Sequence, residues 1–193
     1  MPRTYVAAAE AEAVPVILQA GPGCREHTPL PVLAAMFRSL AEEASVPVVA
    51  HLDHGYSFEE CRIALECGFT SLMYDGSKKP LAQNIDETAR IAEMAHAAGM
   101  SCEGEIGFVG YHGGADSAGT DPDDAAQFAP YPRLAAMAVS VETEHLQTRR
   151  WPRPHGGRRR AIDAAPALPT VVLRGPAVAD AQRTALAPTA CTR

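Results

Sequence analysis

The sequence of 193 residues predicts an α/β fold with parallel strands, and three observations support this prediction. Short apolar segments rich in β-branched residues alternate with longer segments of helical periodicity, as in βα units. The strand segments are apolar almost throughout, which is typical of a sheet covered on both faces. Polar residues collect directly after the strands, at the edge where a β/α barrel carries its catalytic groups. An open doubly wound sheet would show the same local pattern, but no GxGxxG phosphate loop supports it.

The first half of the chain predicts three strands, at residues 15–19, 46–51 and 70–74. Helical periodicity covers residues 33–44 and 80–98. A further helix is expected between the second and third strands, because Ser57 and Glu60 have the spacing of a capping box. Gly68 and Gly99 follow the ends of helices, where glycine is the usual terminating residue.

The second half predicts strands at residues 100–105, 135–141 and 170–173. A helix opens at Asp121 and Pro122 and runs to about residue 129, since proline suits the first helical position. A last short helix is expected at residues 179–186. We expect six parallel strands in total, with residues 15–19 and 170–173 at the edges of the sheet.

Charge divides the chain into two predicted regions. Residues 1–148 hold 8 Lys and Arg against 21 Asp and Glu, whereas residues 149–193 hold nine Arg against two Asp. The first region is expected to form the barrel portion. The second is expected to be a divergent tail rich in Arg, Pro and Ala. It contains the strand at residues 170–173, a degenerate counterpart of the seventh strand of an eight-stranded barrel. A basic tail can bind nucleic acid, but this one has no interleaved aromatics beyond Trp151, so no nucleic-acid partner is expected.

Composition excludes several classes of protein. With 47% hydrophobic and 21% charged residues, the chain is neither disordered nor fibrous. We expect a cytoplasmic protein with no membrane partner, because the N-terminus lacks an apolar signal core and no apolar segment is long enough to span a bilayer. Five cysteines without a CxxC pair fit a reducing compartment. The two lysines, Lys78 and Lys79, lie in a polar stretch, which argues against Schiff-base catalysis.

The segment AHLDHG, residues 50–55, is the strongest candidate for chemistry. His51, Asp53 and Gly55 alternate on one face of the predicted strand, and Leu52 and His54 lie on the other. At the strand end the chain begins to turn, so Asp53 and His54 could reach a common site. A neutral imidazole is a good zinc ligand, and a neighbouring carboxylate can act as a general acid or base. The alternative is that both residues only cap the following turn.

Other polar residues also follow predicted strands. Asp75 and Ser77 end one strand, although Asp-Gly is an ordinary turn signal as well. Glu103 and Glu105 share one face of a buried strand, which is costly unless they are paired or bind a cation. His145 follows the strand at residues 135–141. Two strand-end histidines, His54 and His145, would form half of a metal site, although a lone histidine is more often structural.

Five segments together carry a resemblance to a known family. In order they are AHLDHG, GFTSLMYDGSKKPLAQNI, SCEGEIGFVG, GTDPDDAAQFA and AVSVETEH. Their order and spacing, from about residue 15 to residue 147, resemble the class II (metal-dependent) ketose-bisphosphate aldolases, which include fructose-bisphosphate and tagatose-bisphosphate aldolases. The resemblance implies a TIM (β/α)8-type barrel, here incomplete, with about six parallel strands and the first and last family strands missing.

The resemblance also implies a reaction and a cofactor. The reaction is reversible aldol cleavage of a ketose 1,6-bisphosphate to dihydroxyacetone phosphate and glyceraldehyde 3-phosphate, as in glycolysis. The cofactor is Zn²⁺, which polarises the substrate carbonyl in place of a Schiff-base lysine. The matching positions are Asp53 as the catalytic residue that exchanges a proton with the C4 oxygen, His54 and His145 as zinc ligands, Asp75 and Glu105 as possible alternative ligands, and Ser77 as a substrate-binding residue. The family members are commonly homo-oligomers, and we expect one here if the protein is complete.

Three positions depart from the family pattern. Arg174 stands at the position of the third zinc histidine, Pro176 falls in the phosphate-binding turn and removes an amide donor, and Glu142 replaces a glycine. The alternative to an active aldolase is therefore a catalytically impaired or inactive remnant from a truncated or frame-shifted gene. A metal-dependent barrel hydrolase fits the motifs less well. The sequence leaves fructose and tagatose stereochemistry open.

Overall fold

The computed structural model describes residues 2–108, 119–130, 134–140, 162, 168–172 and 191–192. Six helices and seven strands lie within these residues. In chain order they are α1 (Pro2–Glu12), β1 (Val16–Ala20), α2 (Pro22–Arg25), α3 (Leu30–Glu43), β2 (Val48–Gly55), α4 (Phe58–Cys67), β3 (Ser71–Tyr74), α5 (Leu81–Ala97), β4 (Ser101–Ile106), α6 (Pro122–Phe128), β5 (Ala136–Val139), β6 (Thr170–Val172) and β7 (Cys191–Thr192). Among the described helices, none is both long and apolar enough to cross a bilayer.

The chain forms two compact units. The first comprises residues 1–74 and 91–102, and the second comprises residues 75–90 and 103–193. In the first unit, β1, β2 and β3 lie side by side in parallel, with Val16 opposite Val48 and His51 opposite Ser71. Helix α3 contributes buried Leu33 and Phe37 to the core, and the Phe37 ring meets Phe69 edge to face, with centroids 6.2 Å apart.

In the second unit, the strand order is β4, β5, β6 and β7, again parallel. Glu103 lies opposite Ala136, and Glu105 lies opposite Ala138. Thr120 joins β4 to the residue after β5, because its hydroxyl donates to the Ile106 carbonyl at 2.6 Å and accepts from the Ser140 amide at 2.9 Å. This link holds the carboxyl ends of the two strands together.

The helix signals in the sequence are confirmed. Ser57 accepts a hydrogen bond from the Glu60 amide at 3.1 Å, and Gly68 ends α4 in the left-handed conformation with φ of 91°. Asp121 likewise caps α6 by accepting from the Asp123 amide at 2.8 Å, with Pro122 at the first helical position.

The six predicted strands are present, and each described strand pair is parallel. One expectation about the sheet edges is wrong. The segment that starts at Thr170 is not an edge, because β7 pairs with β6, with Val171 opposite Cys191. A two-residue strand is too short to leave a periodic pattern in the sequence. The expected helix at 179–186 and most of the predicted tail lie outside the described residues.

Candidate active site

The end of β2 contains a β-bulge at the residues expected to carry the chemistry. Leu52 lies opposite Leu72 and Gly55 lies opposite Tyr74, so three steps along β2 match only two along β3. The extra residue lies between Leu52 and Gly55, in the segment that holds Asp53 and His54. His54 has φ of 53°, in the left-handed region that residues other than glycine rarely adopt.

The bulge changes how the side chains of β2 are presented. In a regular strand, Asp53 and His54 would lie on opposite faces, but the extra residue breaks this alternation. His54 is buried at 5% exposure, and its ring stacks on Tyr56 with centroids 6.3 Å apart. Strained backbone of this kind is concentrated at functional sites, which weighs against a simple turn cap for His54.

His51, on the same strand, has a structural partner. Its Nδ1 lies 2.8 Å from the Ser71 hydroxyl on β3, and its ring is buried. The bond ties the ring across two neighbouring strands.

Asp53 is half-buried and lies against the backbone of Gly21. A Cβ atom at Gly21 would lie 3.2 Å from Asp53 Oδ2, closer than an ordinary contact. A glycine at the end of β1 therefore leaves room for the Asp53 carboxylate.

Arg25 binds the backbone of the bulge, and no pattern in the sequence marks it as a site residue. Its Nη1 donates to the carbonyls of Ala20 at 2.5 Å and Asp53 at 2.6 Å, and its Nη2 donates to the carbonyl of His54 at 2.9 Å. Glu60 forms an ion pair with the same guanidinium at 2.8 Å. No local spacing rule links residues 28 and 29 positions apart, so the sequence contains no signal for these contacts.

In the second unit, Asp75 and Ser77 form a tight turn after β3. Asp75 Oδ1 accepts hydrogen bonds from the Ser77 amide at 3.1 Å and from its hydroxyl at 2.6 Å. The ordinary turn that the sequence suggested is therefore present. The neighbouring lysines are also engaged, since Lys79 pairs with Glu87 and Lys78 lies 4.7 Å from the centre of the Phe108 ring.

The two glutamates of β4 are buried, as predicted. Glu103 is 5% exposed and Glu105 is 1% exposed. Gly104, between them, lies on the opposite face, where a Cβ would come within 2.8 Å of Phe128 and 3.0 Å of Thr88. Helix α5 supports this strand end, because Asn84 Nδ2 donates to the Glu105 carbonyl at 2.9 Å. The Thr88 hydroxyl in turn donates to Asn84 Oδ1 at 3.0 Å.

Asp75 and Glu105 come close together within the second unit. A carboxylate oxygen of each lies within 4.8 Å of the other. Two neighbouring carboxylates repel each other in low dielectric unless a proton or a cation separates them. The donor chemistry of this pair therefore fits a divalent cation. In the first unit, the buried His54 imidazole offers a nitrogen donor of the kind that zinc binds.

Two expected site residues, His145 and Arg174, lie outside the described residues. Their assignment as second zinc ligand and as replacement of the third stays a prediction from the sequence.

Comparison with known proteins identifies the family. The family model for class II fructose-bisphosphate aldolase matches residues 1–182, and the chain belongs to this family. The curated relatives that it matches are named as aldolases, which are lyases, and the family is generally zinc-dependent.

Individual relatives agree with the family. The chain is 36% identical over 162 residues to a fructose-bisphosphate aldolase of Xanthobacter flavus, covering 72% of this chain and 46% of that protein. It is 33% identical over 186 residues to a 6-phospho-5-dehydro-2-deoxy-D-gluconate aldolase of Shouchella clausii, covering 93% of this chain and 64% of that protein. The chain thus spans about half to two thirds of the length of these curated relatives.

The structure resembles the crystal structure of the YdjI aldolase from Escherichia coli K12. The TM-score is 0.85 at 30% sequence identity, over 98% of this chain and 68% of that one. The predicted α/β fold of the TIM-barrel type, including the six predicted parallel strands, is confirmed.

Proposed function

We propose that this chain carries a zinc-dependent aldolase site that acts on a phosphorylated ketose. The observation that carries the proposal is the strained end of β2. There a buried His54 with left-handed backbone adjoins the half-buried carboxylate of Asp53, in a chain of the class II aldolase family.

The proposed zinc ligands are His54 and His145, with Asp75 and Glu105 as alternative ligands. When bound, zinc would supply a Lewis acid that polarises the ketone carbonyl and stabilises the negative charge that develops beside it. The burial of Glu105 and its closeness to Asp75 support a cation in this part of the site.

Asp53 is the proposed acid-base residue. In the cleavage direction its carboxylate accepts the proton of the C4 hydroxyl as the C3–C4 bond breaks, and it returns that proton in the condensation direction. Ser77 is the proposed substrate-binding residue. Its hydroxyl donates to Asp75, which supports a shared orientation of the two side chains.

Turnover is expected to be low in this chain. A guanidinium cannot lose a proton to become a metal ligand, so Arg174 cannot replace a zinc histidine. A carboxylate at position 142 would repel a phosphate group of the substrate. We propose weak zinc binding and slow cleavage rather than the turnover of a typical enzyme.

Zinc content and cleavage should be measured together on four purified proteins. These are the unmodified chain, Asp53→Asn, His54→Gln and Arg174→His. We expect His54→Gln to lose zinc, Asp53→Asn to keep zinc and lose cleavage, and Arg174→His to gain zinc affinity. An unmodified chain that binds no zinc contradicts the proposed cofactor. Turnover of roughly 1 per second or more in that chain contradicts the proposed impairment.

The substrate assay should compare two ketose bisphosphates and one phosphorylated keto sugar acid. Fructose 1,6-bisphosphate and tagatose 1,6-bisphosphate differ only in configuration at C4, so they test the stereochemistry directly. The third substrate is 6-phospho-5-dehydro-2-deoxy-D-gluconate, because the relative with that activity matches 93% of this chain. A cytoplasmic place in glycolysis and a homo-oligomeric assembly belong to the same proposal.

A further inference from the structure

We propose that Arg25 and Glu60 form a positioning pair that sets the orientation of His54. The inference rests on the proposed function for its zinc readout, because His54 is a proposed ligand. Neither residue touches the reacting atoms, so both act through the backbone of β2. All the contacts involved lie within the first compact unit.

The guanidinium of Arg25 donates hydrogen bonds to three backbone carbonyls from two strands. The carbonyls belong to Ala20 at the end of β1 and to Asp53 and His54 in the bulge of β2. The two β2 carbonyls are consecutive, and they belong to the peptide units on either side of the Cα atom of His54, the left-handed residue. A planar fork of donors can satisfy neighbouring carbonyls together only when their directions are fixed. The bonds therefore favour the bulged backbone over a regular strand.

The charge of Arg25 is neutralised where it is buried. Its side chain is only 9% exposed, and its Nη2 lies 2.8 Å from Glu60 Oε1. A buried cation without a partner is costly, so Glu60 makes this position tolerable for the guanidinium. The backbone of Arg25 is also held, because its amide donates to the Gly21 carbonyl at 3.1 Å within α2.

Glu60 links the pair to the start of α4. Its Oε2 accepts from the Tyr56 amide at 2.9 Å, while its own amide donates to Ser57. The Glu60 carboxylate thus binds both the backbone that follows Gly55 and the guanidinium of Arg25, which in turn binds the carbonyls of Asp53 and His54. The turn after β2 is held from both ends by the same pair.

Three variants and two readouts test the proposal. Arg25→Lys keeps the positive charge but loses the fork, and Glu60→Gln keeps the shape but loses the negative charge. Arg62→Lys is the matched control, because Arg62 lies on α4, pairs with Glu59 and Glu66, and is 40% exposed. The first readout is the ring resonances of histidine by NMR in metal-free protein, assigned through His51→Gln and His54→Gln. The second is the zinc dissociation constant.

We expect Arg25→Lys to shift or broaden the His54 resonance and leave that of His51 unchanged. His51 is three residues earlier on the same strand and bonds to Ser71, so a general loss of stability would move both rings. Zinc affinity should fall about 10- to 100-fold, as for other changes in the residues that orient a metal ligand. Glu60→Gln should move the same resonance in the same direction by less, and Arg62→Lys should change neither readout.

The two proposals fail in different ways. If the unmodified chain binds no zinc, the proposed cofactor fails, while the His54 resonance still decides the role of Arg25. If Arg25→Lys does not fold, as judged by circular dichroism, Glu60→Gln decides it. A His54 resonance unchanged in the folded variants, with zinc affinity within about twofold of the unmodified chain, would overturn the positioning role.

Discussion

At the scale of single residues, Gly55 shows how a missing side chain shapes the end of β2. A Cβ at this position would lie 2.8 Å from Cys61 Sγ, 3.0 Å from Leu52 and 3.1 Å from the Met73 carbonyl. The carbonyl belongs to the neighbouring strand and cannot rotate away. We therefore expect Gly55→Ala to lower the free energy of unfolding by about 1–3 kcal/mol through overpacking, measured by urea denaturation.

Gly23→Ala is the matched control for this substitution. A Cβ at Gly23 would meet nothing within 4 Å. The free energy of unfolding of the Gly23→Ala variant should stay within about 0.5 kcal/mol of that of the unmodified protein, as is usual for surface changes. Equal losses in the two variants would show that the close contacts around Gly55 do not limit the packing there.

At the scale of elements, the start of α4 depends on a reciprocal pair of hydrogen bonds. Ser57 accepts from the Glu60 amide, and Glu60 accepts from the Tyr56 amide. Ser57→Ala leaves the Glu60 amide without its side-chain acceptor, so we expect a loss of about 1 kcal/mol in the free energy of unfolding. Ser57→Thr keeps the hydroxyl and should retain most of the free energy of unfolding that Ser57→Ala loses. A Thr variant as unstable as the Ala variant would show that the hydroxyl does not carry the effect.

At the scale of the whole molecule, Cys61 reports on the integrity of the first unit. It is fully buried at 0% exposure, and burial, followed by the charge of Glu60, raises the pKa of its thiol to about 12. Cys24 is exposed. Because only the thiolate is alkylated, iodoacetamide at about pH 8 should modify Cys24 in the native protein and leave Cys61 unmodified until the unit opens. Peptide mass spectrometry measures both, and in urea the two should react alike. Rapid labelling of native Cys61 would contradict the burial of its thiol.

The same raised pKa predicts a pH dependence of stability. The folded state holds the Cys61 proton more tightly than the unfolded state, in which the thiol has its ordinary pKa of about 9.0. This contribution is fully present below about pH 9 and is lost as the pH rises toward 12. Cys61→Ala should remove this part of the slope, whereas Cys24→Ala should keep it, as measured by urea denaturation at several alkaline pH values.

The sequence by itself determined the features that depend on neighbouring residues. Apolar β-branched segments identified the six strands, the spacing of Ser57 and Glu60 identified the start of α4, and Gly68 identified its end. Alternation along β4 also placed Glu103 and Glu105 on one buried face. These features follow from local backbone preference and side-chain period, which a linear sequence displays directly. The linked motifs indicated the aldolase family for the same reason, because their order and spacing are properties of the chain.

Only the tertiary structure decided the features that depend on contacts between distant segments. The bulge in β2 exists relative to the register of β3, and the pairing of β7 with β6 joins residues about 20 apart along the chain. Arg25 reaches the carbonyls of Asp53 and His54 from 28 and 29 residues away. Every residue has a backbone carbonyl, so residue identities alone do not predict which carbonyls will accept hydrogen bonds from a guanidinium. The orientation of His54 is therefore a property of the folded chain, although its identity as a candidate ligand could be predicted from AHLDHG alone.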